Sequence, residues 1–151
     1  MSAVPPRVAL RYSGYIQADH LLGYLKALKI IIAADHITPH EHQAFQAGMR
    51  VMGVSPEMRR EVDEFDPRQG KLLEVLPNMQ LGGRAARFLI RDAIELAYAD
   101  GVYGSQERSA IHRVARLLGI SNELLTAIES LVEIERAARH LKKSLMLISS
   151  H

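Results

Sequence analysis

Apolar positions along the chain recur at helical spacing almost throughout. Leu89, Ala93, Leu96 and Ala97 form one stripe, and Leu25, Leu28, Ile31 and Ile32 form another. Each stripe predicts a helix that ends at an aspartate, Asp100 or Asp35. A new helix then starts at "GSQE" or "TPHE". Thr38, Pro39 and Glu41 give the second of these an N-cap, a proline at the first helical position and an acid three residues after the cap. The stripes that follow are Ile111, Val114, Ala115 and Leu118 in one case and Phe45, Gly48, Met49 and Met52 in the other. Gly53 and Gly119 read as C-cap glycines, and Ser55 and Ser121 as the caps of a third helix in each stretch.

The two stretches align residue by residue. Asp35 meets Asp100. After a loop one residue shorter in the first copy, Glu41 meets Glu107, Phe45 meets Ile111, Gly53 meets Gly119 and Ser55 meets Ser121. Two amphipathic helices alone would not also align glycines, caps and acids, so the chain reads as an internal duplication of a three-helix unit. Repeat one covers about 24–66, a linker helix 67–83, and repeat two about 89–132. Leu124, Ile128, Leu131, Ala138, Leu141 and Leu145 carry the helical pattern on to about residue 147. No stretch reads as a strand. The expected fold is all-α, a single domain of about seven helices with pseudo-twofold symmetry.

Composition narrows the chemistry. The 151 residues are 48% apolar with no cysteine, which excludes disulfides, zinc ribbons and thiol catalysis and fits a reducing, cytoplasmic compartment. The N-terminus lacks the apolar core of a signal peptide, and no run is long enough to span a membrane. The formal charge of +2 comes from dispersed basic residues, so no nucleic-acid footprint is visible. Phosphate-loop, "HExxH" and "GxSxG" motifs are absent, and Ser13, Ser105 and Ser109 have no evident base. Arg136, Arg139, Lys142 and Lys143 gather near the end of the last helix, where they suit its dipole.

The acids are the candidate chemistry. Each stripe, continued by one step, reaches a carboxylate: Asp35 and Glu41 in the first copy, Asp100 and Glu107 in the second. The two carboxylates of one copy are expected to face each other at the core edge, where they repel and lose solvation. Capping compensates if Glu41 reaches back to its N-cap amide and Asp100 to the loop amides after it. A hard divalent cation — calcium, magnesium or manganese — compensates if the oxygens converge. The spacing leaves both readings open. His36, His40 and His42 beside the first pair add a zinc or nickel option that ranks behind the carboxylates, because the second copy has Gly101, Gln106 and Arg108 instead. His112, on a stripe with Arg108 and Arg116, reads as part of a solvated face.

The segment "YADGVYGSQERSAIHRVARLLGIS" resembles the signature of the TerB family of tellurite-resistance proteins: an apolar helix ending in Ala-Asp-Gly, a short loop, a Glu opening the next helix, then Leu-Gly-Ile. The N-terminal domain of membrane-anchored DjlA co-chaperones is similar. The first copy departs from the pattern with His36 where Gly is usual. The resemblance implies a non-enzymatic helical module whose paired acids, Asp35, Glu41, Asp100 and Glu107, are candidate metal ligands. It also implies a role in the tellurium and stress-response system, at the inner membrane face through protein partners; the charge and hydropathy readings add no nucleic acid and no membrane insertion. The other reading is a helical interaction scaffold in which the same acids are structural caps.

Overall fold

A computed structural model describes residues 7–11, 14–34, 36–76 and 80–147. The described chain opens with a feature the periodicity did not predict, a two-stranded antiparallel hairpin. Strand β1 (Arg7–Ala9) pairs with β2 (Tyr15–Gln17), with Val8 opposite Ile16. Three-residue strands are too short for period-two alternation to stand out. The pair holds because Ile16 and the adjacent Leu10 bury themselves against the helices.

Among the described residues seven α-helices follow a single 3-10 turn: α1 (Leu21–Ile32), α2 (Pro39–Val51), α3 (Pro56–Glu64), α4 (Leu72–Val75), α5 (Arg84–Ala97), α6 (Ser105–Leu117) and α7 (Asn122–Leu147). The expected stripes are the buried ones. Leu25, Leu28, Ile31 and Ile32 of α1 and Leu89, Ala93, Leu96 and Ala97 of α5 all lie in one core with Phe45, Met49, Ile111 and Ala115. The glycine stops and serine caps also fall as expected, whereas α1 and α5 end at Ile32 and Ala97, three residues short of the positions of the aspartates where the stripes predicted their ends. Gly53 and Gly119 take positive φ, 73° and 76°, which a side chain would disfavour. Helix α4 is a single turn, shorter than the linker helix expected over 67–83, of which 77–79 lie outside the described residues.

The two halves interlock. Helix α1 packs on α5 and α6, while α5 packs on α1 and α2, so the first helix of each half touches the second helix of the other. Helix α5 is covered on nearly every side. Its Arg91, Asp92 and Glu95 are buried with its leucines and isoleucines. Buried charge needs partners, and these have them. Tyr24 donates to Asp92 at 2.5 Å. Arg139 donates to both oxygens of Glu95 at 2.7 and 2.9 Å, with Arg136 3.6 Å away, and Arg91 donates to Glu135 at 2.6 Å. Two of the four basic residues read as favouring the α7 dipole are thus a clamp on α5.

Candidate functional site at the meeting of two helix corners

At the first corner, α1 ends at Ile32 and Asp35 lies outside the described residues. Thr38 then caps α2. Its hydroxyl accepts from the Glu41 amide at 3.1 Å, and the Glu41 carboxylate accepts from the Thr38 amide at 3.2 Å. This reciprocal pair satisfies two amides that the helix start leaves without partners. Glu41 itself is only 5% exposed.

The second corner is built differently. Gly101, at φ 94°, turns the chain sharply after Asp100. Asp100 is exposed and accepts from the Val102 amide at 3.2 Å, the loop bond expected of it. The α6 N-cap is Gly104, which has no side chain to offer. Glu107 folds back over it: a Cβ added to Gly104 would stand 2.6 Å from the Glu107 Oε2.

Because the halves interlock, the two corners share one space. The ends of α1 and α5 and the first turns of α2 and α6 surround a cavity of about 30 Å³, room for one water or one ion. Ile31, Ile32, Ala93 and Ala97 make its apolar wall, and His36, Glu41, Gln106 and Glu107 its polar one. Glu41 of the first half and Glu107 of the second line this one cavity, a meeting across the halves that was not expected; the expected pairing of Glu41 with Asp35 lies outside the described residues. Spacing along one copy could not show this, since it depends on how the halves pack.

The electrostatics of the cavity are unbalanced. Burial raises the Glu41 carboxyl above the usual carboxylate range, the bonds to Thr38 oppose that, and the charges of Glu107 and Asp100 raise it further. Among the described residues no ion pair joins Glu41, Asp100 or Glu107 to a base, although ion pairs are formed elsewhere. Two carboxylates on a cavity of single-ion size suit a hard, oxygen-preferring cation. Among the described residues no group of three or more His, Asp or Glu comes together as a metal cage.

The histidines separate cleanly. His40 and His42 are exposed and do not line the cavity, whereas His36 is exposed at its rim. The reading of His112 as a solvated residue is corrected. It is half-buried, with its Nε2 3.3 Å from Glu129, which also accepts from Tyr103 at 2.9 Å and has Arg108 3.6 Å away. This second cluster and the Glu95 clamp escaped the sequence reading because their partners lie far apart in the chain. The one local signal was the Arg91–Glu95 pair at i,i+4 inside an otherwise apolar helix.

Comparison with known proteins now bears on the site. The family described as tellurite resistance protein TerB matches residues 24–130, which contain both corners and the cavity. The crystal structure of a tellurite resistance protein from Nostoc punctiforme is similar, with a TM-score of 0.78, 24% sequence identity, and coverage of 88% of this chain and 82% of that one. No curated protein matches.

Proposed function

The chain belongs to the TerB family, and on that premise we propose that it is a non-enzymatic, metal-binding helical module of the tellurite-resistance and stress-response type. Glu41 and Glu107 hold a divalent cation at the shared cavity, with Asp100 and Asp35 contributing negative charge or oxygens. Calcium, magnesium and manganese fit this oxygen set, and zinc fits it less well. The module works in the cytoplasm, against protein partners of a membrane-associated complex. No described helix is long and apolar enough to cross a membrane itself.

The observation that carries this reading is the state of Glu41. It is buried, raised by two further carboxylates, and faces no base among the described residues. A bound cation removes that strain. One observation favours the scaffold alternative: Glu41 already closes a capping box and Asp100 already closes a loop bond, so both have structural work without metal.

Melting temperatures separate the two. With excess divalent ion the wild type should melt higher than with chelator, by the linkage of ion binding to folding. Glu107→Gln should lose that increment while melting unchanged or slightly higher in chelator. An equal loss of stability in Glu107→Gln with and without ion rejects the metal site in favour of a purely structural role for this carboxylate.

A further inference from the structure

Helix α7 has two apolar faces, and the core uses one. Leu125, Ile128 and Val132 are buried, and Arg136 and Arg139 on the same side reach Glu95. The other face carries Leu131, Ile134, Ala138, Leu141 and Leu145. The four large ones are 47, 65, 59 and 61% exposed. At about 100° per residue this stripe lies roughly 130° around the helix from the buried face, and no described residue covers it. Single exposed leucines are ordinary, but a continuous seam about 21 Å long is not. Its spacing is three, four, three and four residues, the a/d repeat by which helices pair side by side.

Charge says what the seam fits. From Asn122 to Glu135, α7 carries Glu123, Glu129, Glu133 and Glu135 and no Lys or Arg. From Arg136 to Leu147 it carries Arg136, Arg139, Lys142 and Lys143 and no acid. A helix with an acidic first half and a basic second half complements itself when laid antiparallel. Glu135, its side chain 38% exposed beside its bond to Arg91, and the exposed Lys142 flank the seam on one side, seven residues apart, so they can meet across it in an antiparallel pair. An anionic lipid surface fits less well, because Glu135 flanks the same stripe and would be repelled.

We propose that this face is a self-association surface: α7 pairs antiparallel with α7 of a second copy of the chain, the seam centred between Ala138 and Leu141. In that register Ile134 of one copy lies across from Leu145 of the other. Two heptads of contact fall at the small end of protein interfaces, below about 1,200 Å² of buried surface, so the dimer is weak and concentration-dependent.

Sedimentation equilibrium of the full chain, up to about 1 mM, is the first measurement. The expected result is a monomer–dimer equilibrium. Leu141→Glu should weaken it about tenfold or more, without lowering the melting temperature, because Leu141 is largely exposed and buried against no described residue of its own chain. The chain has no cysteine, so single-cysteine variants report the register directly. Mixed Ile134→Cys and Leu145→Cys chains should oxidise to a 134–145 heterodimer in preference to either homodimer. A monomer at every concentration would overturn the proposal, as would dimerisation insensitive to Leu141→Glu, or 134–134 bridging, which marks a parallel pair. Capture of the wild type by phosphatidylserine vesicles without self-association would overturn it in favour of a membrane surface.

Discussion

The two halves of the molecule share their joints and differ in their endings. In the first half the Gly53 amide bonds to the Arg50 carbonyl at 3.0 Å and the Val54 amide to Met49 at 3.0 Å. In the second, Gly119 bonds to Arg116 at 3.1 Å and Ile120 to Ala115 at 2.9 Å. Ser55 caps the Met58 amide and Ser121 the Leu124 amide, both at 3.2 Å. The third helices then part company. Helix α3 stops at Glu64, whereas α7 runs on to Leu147. The cause lies partly in sequence: Asp66-Pro67 follows α3, and a residue before proline is pushed out of the helical region. The rest is tertiary. Lys29 of α1 donates to the carbonyls of Val62, Asp63 and Phe65 at 2.8, 3.0 and 2.8 Å, holding the end of α3 closed. The aligned residue of α5 is Ile94, which offers no donor. A joint is thus fixed by bonds within four or five residues, while the length of a helix depends on what the rest of the protein supplies at its end.

The largest effect should come from removing that ammonium. Lys29→Met leaves three carbonyls without their donor, and should cost about 2 kcal/mol by the usual price of hydrogen bonds to a charged group. Urea unfolding measures it. Ile94→Met in the other half is a volume-conserving change and should cost clearly less. Equal losses would mean that Lys29 acts only as packing and that the difference between the halves has another origin.

A smaller and symmetric effect tests the joints. Ser55→Ala and Ser121→Ala should each cost about 1 kcal/mol, the ordinary value of a lost N-cap. Their bond lengths are equal and both serines are exposed, so the two losses should agree within about 0.5 kcal/mol. A wide gap would show that the matched bonds carry different loads.

What could be read from the sequence follows the same division. Caps, C-cap glycines and buried stripes depend on residues three or four apart, and these fell where the periodicity put them, Thr38–Glu41 and Gly53 among them. The glutamates opening the second helices were visible for the same reason. Their grouping was not. Glu41 meets Glu107 because α1 and α5 cross-pack onto α6 and α2, and no spacing along one half encodes that. The stripe read through Leu131, Leu141 and Leu145 illustrates the limit again. Its period is helical, but the face it marks points away from the core, and periodicity alone does not say which side of a helix the rest of the protein covers.

The smallest effect concerns the glutamate that opens the second helix of each half, buried at Glu41 and only half-buried at Glu107. Folding raises the Glu41 carboxyl through burial and then through Glu107 and Asp100, against the opposing bonds from Thr38. The native state therefore holds a proton that the unfolded chain has already released, in the window between the ordinary carboxylate value and the raised one. Stability should fall as pH rises through that window and level off above it. Glutamine keeps an acceptor for the Thr38 amide and carries no charge. In chelator, Glu41→Gln should match the wild type at acid pH, below the window, and exceed it slightly at neutral pH, by no more than about 1 kcal/mol. Urea unfolding of both proteins at the two pH values decides the matter. A variant less stable at both would make the carboxylate a better cap than the amide and remove the strain on which a cation acts. A gain confined to neutral pH would place that strain on the ionised form of Glu41, the form that a cation at the shared cavity would bind.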